Sequence, residues 1–251
     1  MQLREASDVL GVHYQTAYAW VRQGTLPARK AGRGYEVLDS DVFALAEHRA
    51  AGAAPRREVQ VRDWAARAGR LHDAIVSGLE TQARHEFDRL AAGVPMIDLC
   101  ERLIAPALRR IGEEWAAGEM SIAVEHRATA ICEQLIASHA HQPSGRPRGI
   151  AVTAAPPGEQ HALPALMAAA CLREDRWLVH YLAVNLPVEE VVGLAREVGA
   201  SLLVFTSATP RAVRAARRAA RDIGSSTPQL RVLVGQPGDT LTQLMSLASA
   251  G

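Results

Sequence analysis

Two short stretches of the 251-residue chain hold residue types that can do chemistry. The first is PPGEQHALP, residues 156–164, in which Glu159 precedes His161 by two positions. An imidazole is a ready metal ligand, and a neighbouring carboxylate fixes its tautomer and raises its basicity. A lone loop histidine is more often merely solvated, so the pair carries the reading. The second stretch is EWAAGEMSIAVEHRATA, residues 114–130. Trp115 stands just before a small-residue break, and Glu125 and His126 follow side by side inside a helical pattern. Taken singly, the indole reads as core and the Glu-His pair as helix surface. Taken together, they offer a flat ring for stacking, a carboxylate that accepts from hydroxyls and an imidazole that donates to a neighbouring oxygen.

Other candidates are weaker. His139 and His141, near Cys132, sit at a helix end beside a linker and read as solvated. Arg211, Arg214, Arg217, Arg218 and Arg221 recur at helical spacing opposite an alanine-rich face, which reads as a solvated face or a subunit contact. The chain shows no Ser-His-Asp arrangement, phosphate loop or paired catalytic carboxylates, and an enzyme is not expected.

The elements that must position these residues fall into three textures, and the expected class is multidomain. Residues 59–141 carry only helical periodicity, in four runs: Trp64 to Leu79, a run holding Phe87 and Leu90, Met96 to Trp115, and Ser121 through Leu135. Apolar residues at steps of three and four give each run one buried stripe, so a four-helix bundle is predicted. From residue 148 to 251 the period changes. Short β-branched runs at 149–155, 177–184, 200–208 and 230–236 alternate with helical stretches at 160–174, 188–198 and 210–223. That alternation predicts a Rossmann-like α/β parallel sheet, whose ligands sit beyond the strands' carboxyl ends. His161 lies there, as do Ser207, Thr209 and Gly235.

Residues 1–50 form the third texture. A helix at 3–10 packs Leu3, Ala6 and Leu10, and Gly11 ends it. A second helix starts near His13, and His13, Tyr14, Gln15, Thr16 and Tyr18 supply exposed tips suited to a major groove. The turn at 29–35 is basic, with Arg29, Lys30, Arg33 and Tyr35 placed to reach phosphates. The segment is only weakly positive, so oligomerisation is expected to raise its affinity for DNA. Residues 50–57 read as a linker, and a second break lies at 142–147.

Whole-chain properties set limits. The formal net charge is +1, so any basic surface is local. Three widely spaced cysteines read as free thiols in a reducing cytosol. The charged start lacks a signal-peptide core, and no apolar run is long enough to span a bilayer. A cytoplasmic protein is expected.

These motifs carry a family resemblance. Residues 1–45, most specifically GVHYQTAYAWVRQGTLPA, resemble the winged helix-turn-helix of MerR-type regulators and its shorter excisionase-like branch. Glu159-x-His161-x-x-Pro164 looks like the D/E-x-H-x-x-G signature of cobalamin-binding domains, in which the histidine replaces the cofactor's own base below cobalt. Ser207-Ala208-Thr209 falls at that family's S-x-L motif beside the nucleotide tail, and Gly235-Gln236 at its Gly-Gly. Trp115, nine residues and Glu125-His126 match the W-x9-E-H of adenosylcobalamin-dependent photoreceptor repressors of the CarH/LitR type. The resemblance spans the chain in that family's order: winged helix, bundle, cobalamin-type sheet.

It implies a transcriptional regulator that binds double-stranded operator DNA, is a homo-oligomer (dimer or tetramer) and has no membrane partner. The implied cofactor is adenosylcobalamin. It would be held by Trp115, Glu125, His126, Glu159, His161, Ser207, Thr209 and Gly235, with His161 on cobalt. Four features depart from the pattern: Pro164 and Gln236 replace glycines, Ala116 stands where light-switching relatives carry a histidine, and one helical stretch, 239–249, follows Gly235. The alternatives are a regulator whose altered pocket senses another small molecule or a partner protein, and, less favoured because of the winged helix, a corrinoid carrier for methyl transfer.

Overall fold

The computed structural model describes residues 1–10, 12–22, 24–32, 34–43, 45, 61, 63–143 and 145–250. Gly11, Arg33, Ser144 and the linker at 50–57 lie outside the described residues. The chain divides into two compact units, essentially a head up to residue 59 and a larger unit of helices and sheet.

In the head, α1 (Leu3–Val9) and α2 (Tyr14–Arg22) pack through Leu3, Ala6, Leu10 and Ala17. His13 starts α2: its carbonyl accepts from the Thr16 and Ala17 amides at 2.8 and 3.2 Å. The wing pairs β1 (Ala28–Ala31) antiparallel with β2 (Gly34–Val37), and Gly32, just after β1, sits at φ 58°. A residue with a side chain is strained at that angle, so glycine suits the turn. Residues 39–43 are helical.

The larger unit begins with α3 (Trp64–Val76), started by the Asp63 side chain accepting from the Ala66 amide at 2.9 Å. Next come α4 (Glu80–Ala91), α5 (Met96–Leu99), a π turn (Cys100–Ile104), α6 (Ala105–Ala116) and α7 (Ile122–His139). The periodicity predicts one uninterrupted helix from Met96 to Trp115, and the π turn is the exception. Pro106 explains it: a proline has no amide to give the carbonyl four residues back, and its ring crowds that carbonyl. The ladder widens by one residue instead, with the Ala105 amide bonding the Cys100 carbonyl.

Four parallel strands follow: β3 (Ile150–Ala154), β4 (Leu178–Tyr181), β5 (Leu202–Thr206) and β6 (Arg231–Gly235), in the order β4-β3-β5-β6. The helices α8 (Leu163–Glu174), α9 (Val188–Glu197), α10 (Pro210–Ser226) and α11 (Leu241–Ser249) complete the unit. After β3 the chain passes to one side, to β4, and then crosses to β5 on the other. A crevice therefore opens between the carboxyl ends of β3 and β5, the place where such sheets take ligands.

Helix α8 joins bundle and sheet. Leu163, Leu166, Met167, Ala170 and Cys171 enter the core built on Leu71, Phe87, Leu103 and Leu135. Ala168, Ala169 and Leu172 enter the sheet's core with Ala151 and Leu202. A helix apolar on every face must be covered on every face, which is why this one carries so many alanines. Polar clamps reinforce the joint. Gln142 pairs with both the amide and the carbonyl of Val179 on the outer strand β4, at 3.0 and 2.7 Å, which blunts that edge. Glu101 accepts from the Thr242 amide and hydroxyl at 2.8 and 3.0 Å.

Cys100, Cys132 and Cys171 are buried free thiols. Burial, helped by Glu133, pushes the Cys132 thiol up to about 12, which suits an inert packing role. No helix among the described residues is long and apolar enough to cross a membrane.

Candidate functional site

The loop after β3 folds back over the sheet's carboxyl end. The Ala155 amide bonds the Ala183 carbonyl at 2.9 Å, and the Gly158 amide bonds Asn185 Oδ1 at 3.4 Å. Ala183 and Asn185 sit at φ 54° and 61°, conformations that cost a non-glycine residue free energy and concentrate at functional loops.

Glu159 is the keystone of the loop. Its side chain is only 1% exposed. One carboxylate oxygen accepts from His161 Nδ1 at 2.5 Å and from the Gln160 and His161 amides at 2.9 and 3.1 Å. The other accepts from the Ala208 and Thr209 amides at 2.8 and 3.2 Å, in the loop after β5. One buried carboxylate thus ties together the two loops that flank the crevice. Burial pushes its pKa up, but the bonds from His161 and the Ala208 amide outweigh that and hold it below the ordinary carboxylate value. With Nδ1 donating to Glu159, the lone pair of His161 is left on Nε2. That ring is 60% exposed, so Nε2 is the nitrogen available to a metal.

The other residues singled out at this end differ in state. Thr209 is engaged as the cap of α10, its hydroxyl accepting from the Ala212 amide at 3.2 Å. Ser207 Oγ and Thr206 Oγ1 are buried and have no hydrogen-bond partner among the described residues. Buried hydroxyls without partners are costly, so two of them at a strand's carboxyl end fit a site that receives a polar ligand. From the sequence, Thr206 opens the stretch 206–210 expected at the ligand end of the sheet, but it is not among the site residues chosen there; it is the last residue of β5. A Cβ on Gly235 would make only ordinary contacts, 3.7 Å from the Phe205 carbonyl, so glycine there keeps space open without being demanded by packing.

Two of the departures acquire a local explanation. Pro164 lies in the first turn of α8, where a missing amide costs nothing. The Gln236 side chain is held by Arg217 at 2.6 Å, while its amide bonds Asp239 at 3.1 Å.

Trp115 lies in the last turn of α6 and is 50% exposed. Glu125 lies in the first turn of α7, its side chain 33% exposed, and accepts from the Thr129 hydroxyl at 3.1 Å. His126 is 71% exposed, with Nδ1 3.9 Å from Glu125. Helices α6 and α7 bring all three to one end of the bundle, but among the described residues no hydrogen bond or ring contact joins the indole to the pair. Nearby, buried His72 on α3 bonds Asp73 through Nδ1 at 2.9 Å and Glu114 through Nε2 at 3.0 Å. The sequence reading passed over His72; a histidine at a core position of an apolar stripe was the signal. His139 is no free ligand either, since Nε2 lies 3.4 Å from Asp88 and its ring meets Phe87 edge-on. Among the described residues no group of acidic, histidine and cysteine side chains could by itself hold a metal ion.

In the head, His13, Tyr14, Gln15 and Thr16 are exposed along the start of α2, and Arg29 and Lys30 are exposed on the wing. Tyr14, Tyr18 and Tyr35 form a ladder, with ring centroids 6.4 Å apart in the first pair and 5.7 Å in the second. That ladder holds α2 against the wing. Tyr18 and Tyr35 are half-buried within it, so packing accounts for much of their surface.

Three family models match the chain in order. Residues 1–50 match a helix-turn-helix domain, and residues 68–138 and 149–251 match two B12 binding domain families. Over 214 residues the chain is 27% identical to the HTH-type transcriptional repressor CarH of Myxococcus xanthus, covering 74% of this chain and 71% of that protein. Its fold is shared by the monomethylamine corrinoid protein of Methanosarcina barkeri (TM-score 0.52, 16% identity, 72% of this chain and 88% of that one). A helix-turn-helix head followed by two B12-binding domains defines a DNA-binding transcriptional regulator with a cobalamin sensory module. The chain is similar to the CarH repressor, and that relative, the helix-turn-helix head and the two B12-binding domains together support a regulator.

Proposed function

We propose that this regulator senses adenosylcobalamin in the cytoplasm and that the loaded form assembles into a dimer or tetramer with raised operator affinity. The observation that carries the reading is the buried Glu159 carboxylate, which presents His161 with Nδ1 engaged at the mouth of the β3–β5 crevice. His161 is the residue to hold cobalt from below, with Glu159 fixing its tautomer. Ser207, with its unpartnered hydroxyl, Thr209 and Gly235 line the end of the sheet that takes the nucleotide tail. Trp115 offers a face for the adenine, Glu125 accepts from the ribose hydroxyls, and His126 helps place that carboxylate. When bound, adenosylcobalamin supplies a light-sensitive cobalt–carbon bond, which makes this end of the bundle the part that reads illumination. Ala116 provides no second imidazole there. In the head, His13, Tyr14, Gln15, Thr16 and Tyr18 read the operator, while Arg29, Lys30, Arg33 and Tyr35 meet phosphates.

The test is size-exclusion and operator binding of the full chain, in darkness with and without adenosylcobalamin and again after green light. The expected result is a larger assembly and tighter DNA binding in the dark with cofactor, both reversed by light. Identical elution and affinity with cofactor bound throughout contradicts the proposal. Replacing Arg29 and Lys30 with glutamine should weaken binding to all sequences and lower the salt slope by roughly one per residue.

A further inference from the structure

The polar network at the last turn of α6 has no part in the reading above. His72 lies on α3 with its side chain only 4% exposed, between Asp73 at 2.9 Å and Glu114 at 3.0 Å. The second oxygen of Glu114 accepts from Arg110 Nε at 2.8 Å, and Arg110 comes within 3.8 Å of Asp73. Of this set only the imidazole is buried, since Asp73 is 70% and Arg110 53% exposed. Burying a polar ring is costly, and an apolar residue of similar size at position 72 fills the same space at lower cost. Burial pushes Glu114 up, yet the bonds from His72 and Arg110 prevail and hold it below the ordinary carboxylate value.

The position of this network matters because Glu114 directly precedes Trp115 in the last turn of α6. Closing turns of helices fray unless something holds them. Three backbone bonds close this one: the Ala117 amide to the Glu113 carbonyl at 2.9 Å, the Glu119 amide to the Glu114 carbonyl at 2.9 Å, and the Gly118 amide to the Trp115 carbonyl at 3.0 Å. The half-exposed indole makes no ring contact among the described residues, so its direction depends on the backbone of that turn. From the buried face of α3, His72 supplies a side-chain tether to the same turn.

We infer that His72 is a positioning residue for Trp115: through Glu114 it locks the last turn of α6 and thereby aims the indole at its ligand. The inference rests on the reading of Trp115 as a cofactor-facing residue, and the test separates the two. The full chain, without cofactor, is labelled with 5-fluorotryptophan, which gives one fluorine resonance for each of the four tryptophans. Trp115→Phe assigns the resonance of interest. His72→Leu should shift and broaden the Trp115 resonance and leave those of Trp20 and Trp177 in place, while His72→Gln, which keeps a donor, should restore it in part. Glu114→Ala cuts the tether from the half-exposed side, so it answers the question where His72→Leu does not fold. The same variants should lose roughly tenfold in preference for adenosylcobalamin over hydroxocobalamin. Combining either with Trp115→Ala should cost no more than Trp115→Ala alone. An unchanged Trp115 resonance in His72→Leu and Glu114→Ala overturns the inference, as does an equal disturbance of all four resonances. If the Trp115 resonance moves while the wild-type chain shows no preference between the two cobalamins, the tether stands and the reading of the indole as ligand-facing falls.

Discussion

His161 and His126, the two histidines of the candidate cofactor site, live in opposite circumstances. His161 is bonded through Nδ1 to a buried carboxylate that also binds four backbone amides from two loops. His126 is more exposed, and its one ion pair among the described residues is with Glu125, at 3.9 Å. The sheet end is therefore built before any ligand arrives, whereas the bundle end presents an indole that no hydrogen bond or ring contact among the described residues joins to the Glu125–His126 pair. A preorganised site spends its binding energy on the ligand, while a loose one spends part of it on ordering its own side chains. On this account the sheet end supplies affinity and the bundle end supplies discrimination.

The largest effect should come from breaking the built end. His161→Ala removes the ligand itself and should lower affinity for every cobalamin by more than the 10–100-fold typical of losing a supporting partner, as read by titration of the visible spectrum. Uptake equal to wild type removes His161 from the site. Glu159→Gln keeps the shape but loses the charge, and should cost roughly 10–100-fold for adenosyl- and hydroxocobalamin alike. The same substitution has a pH signature. Because the folded-state pKa of Glu159 lies below its ordinary value of 4.5, the carboxylate's contribution to stability is complete above that value and is lost as pH falls through the lower one. The stability gap between wild type and Glu159→Gln should therefore close in acid, below about pH 4.5, in thermal melts.

At the loose end the effects should be smaller and selective. Trp115→Ala should weaken adenosylcobalamin by roughly tenfold and leave hydroxocobalamin alone, in keeping with the loss of one base–aromatic stack. Equal losses for both ligands mean the indole is packing rather than recognition. Glu125→Gln retains an acceptor and should cost only about 2–10-fold in the same ratio.

The contrast also explains what the sequence could disclose. The Glu159-x-His161 pair was legible because its partners are two residues apart, so chain connectivity almost guarantees the contact. The bond from Glu159 to the Ala208 and Thr209 amides was not, since it spans about fifty residues and uses backbone donors that any sequence supplies. The bundle's four runs and the strand–helix alternation were written in periodicity. The π turn was not, because periodicity is blind to one extra residue, although Pro106 was its cue. The His72–Glu114 tether joins positions 42 residues apart on different helices, and nothing local announces it. Arg33, expected on the wing, lies outside the described residues.

The claim that the sheet end is prebuilt can be tested on the cofactor-free protein. Nitrogen NMR of histidine-labelled full chain, recorded at mildly alkaline pH with His161→Ala for assignment, reports which ring nitrogen of His161 carries the proton. The account predicts protonated Nδ1 and a bare Nε2, reverting in Glu159→Gln to the mixed pattern of a solvated imidazole. A proton on Nε2 in the wild-type protein, or no difference between wild type and Glu159→Gln, would show that the histidine is not held ready for cobalt.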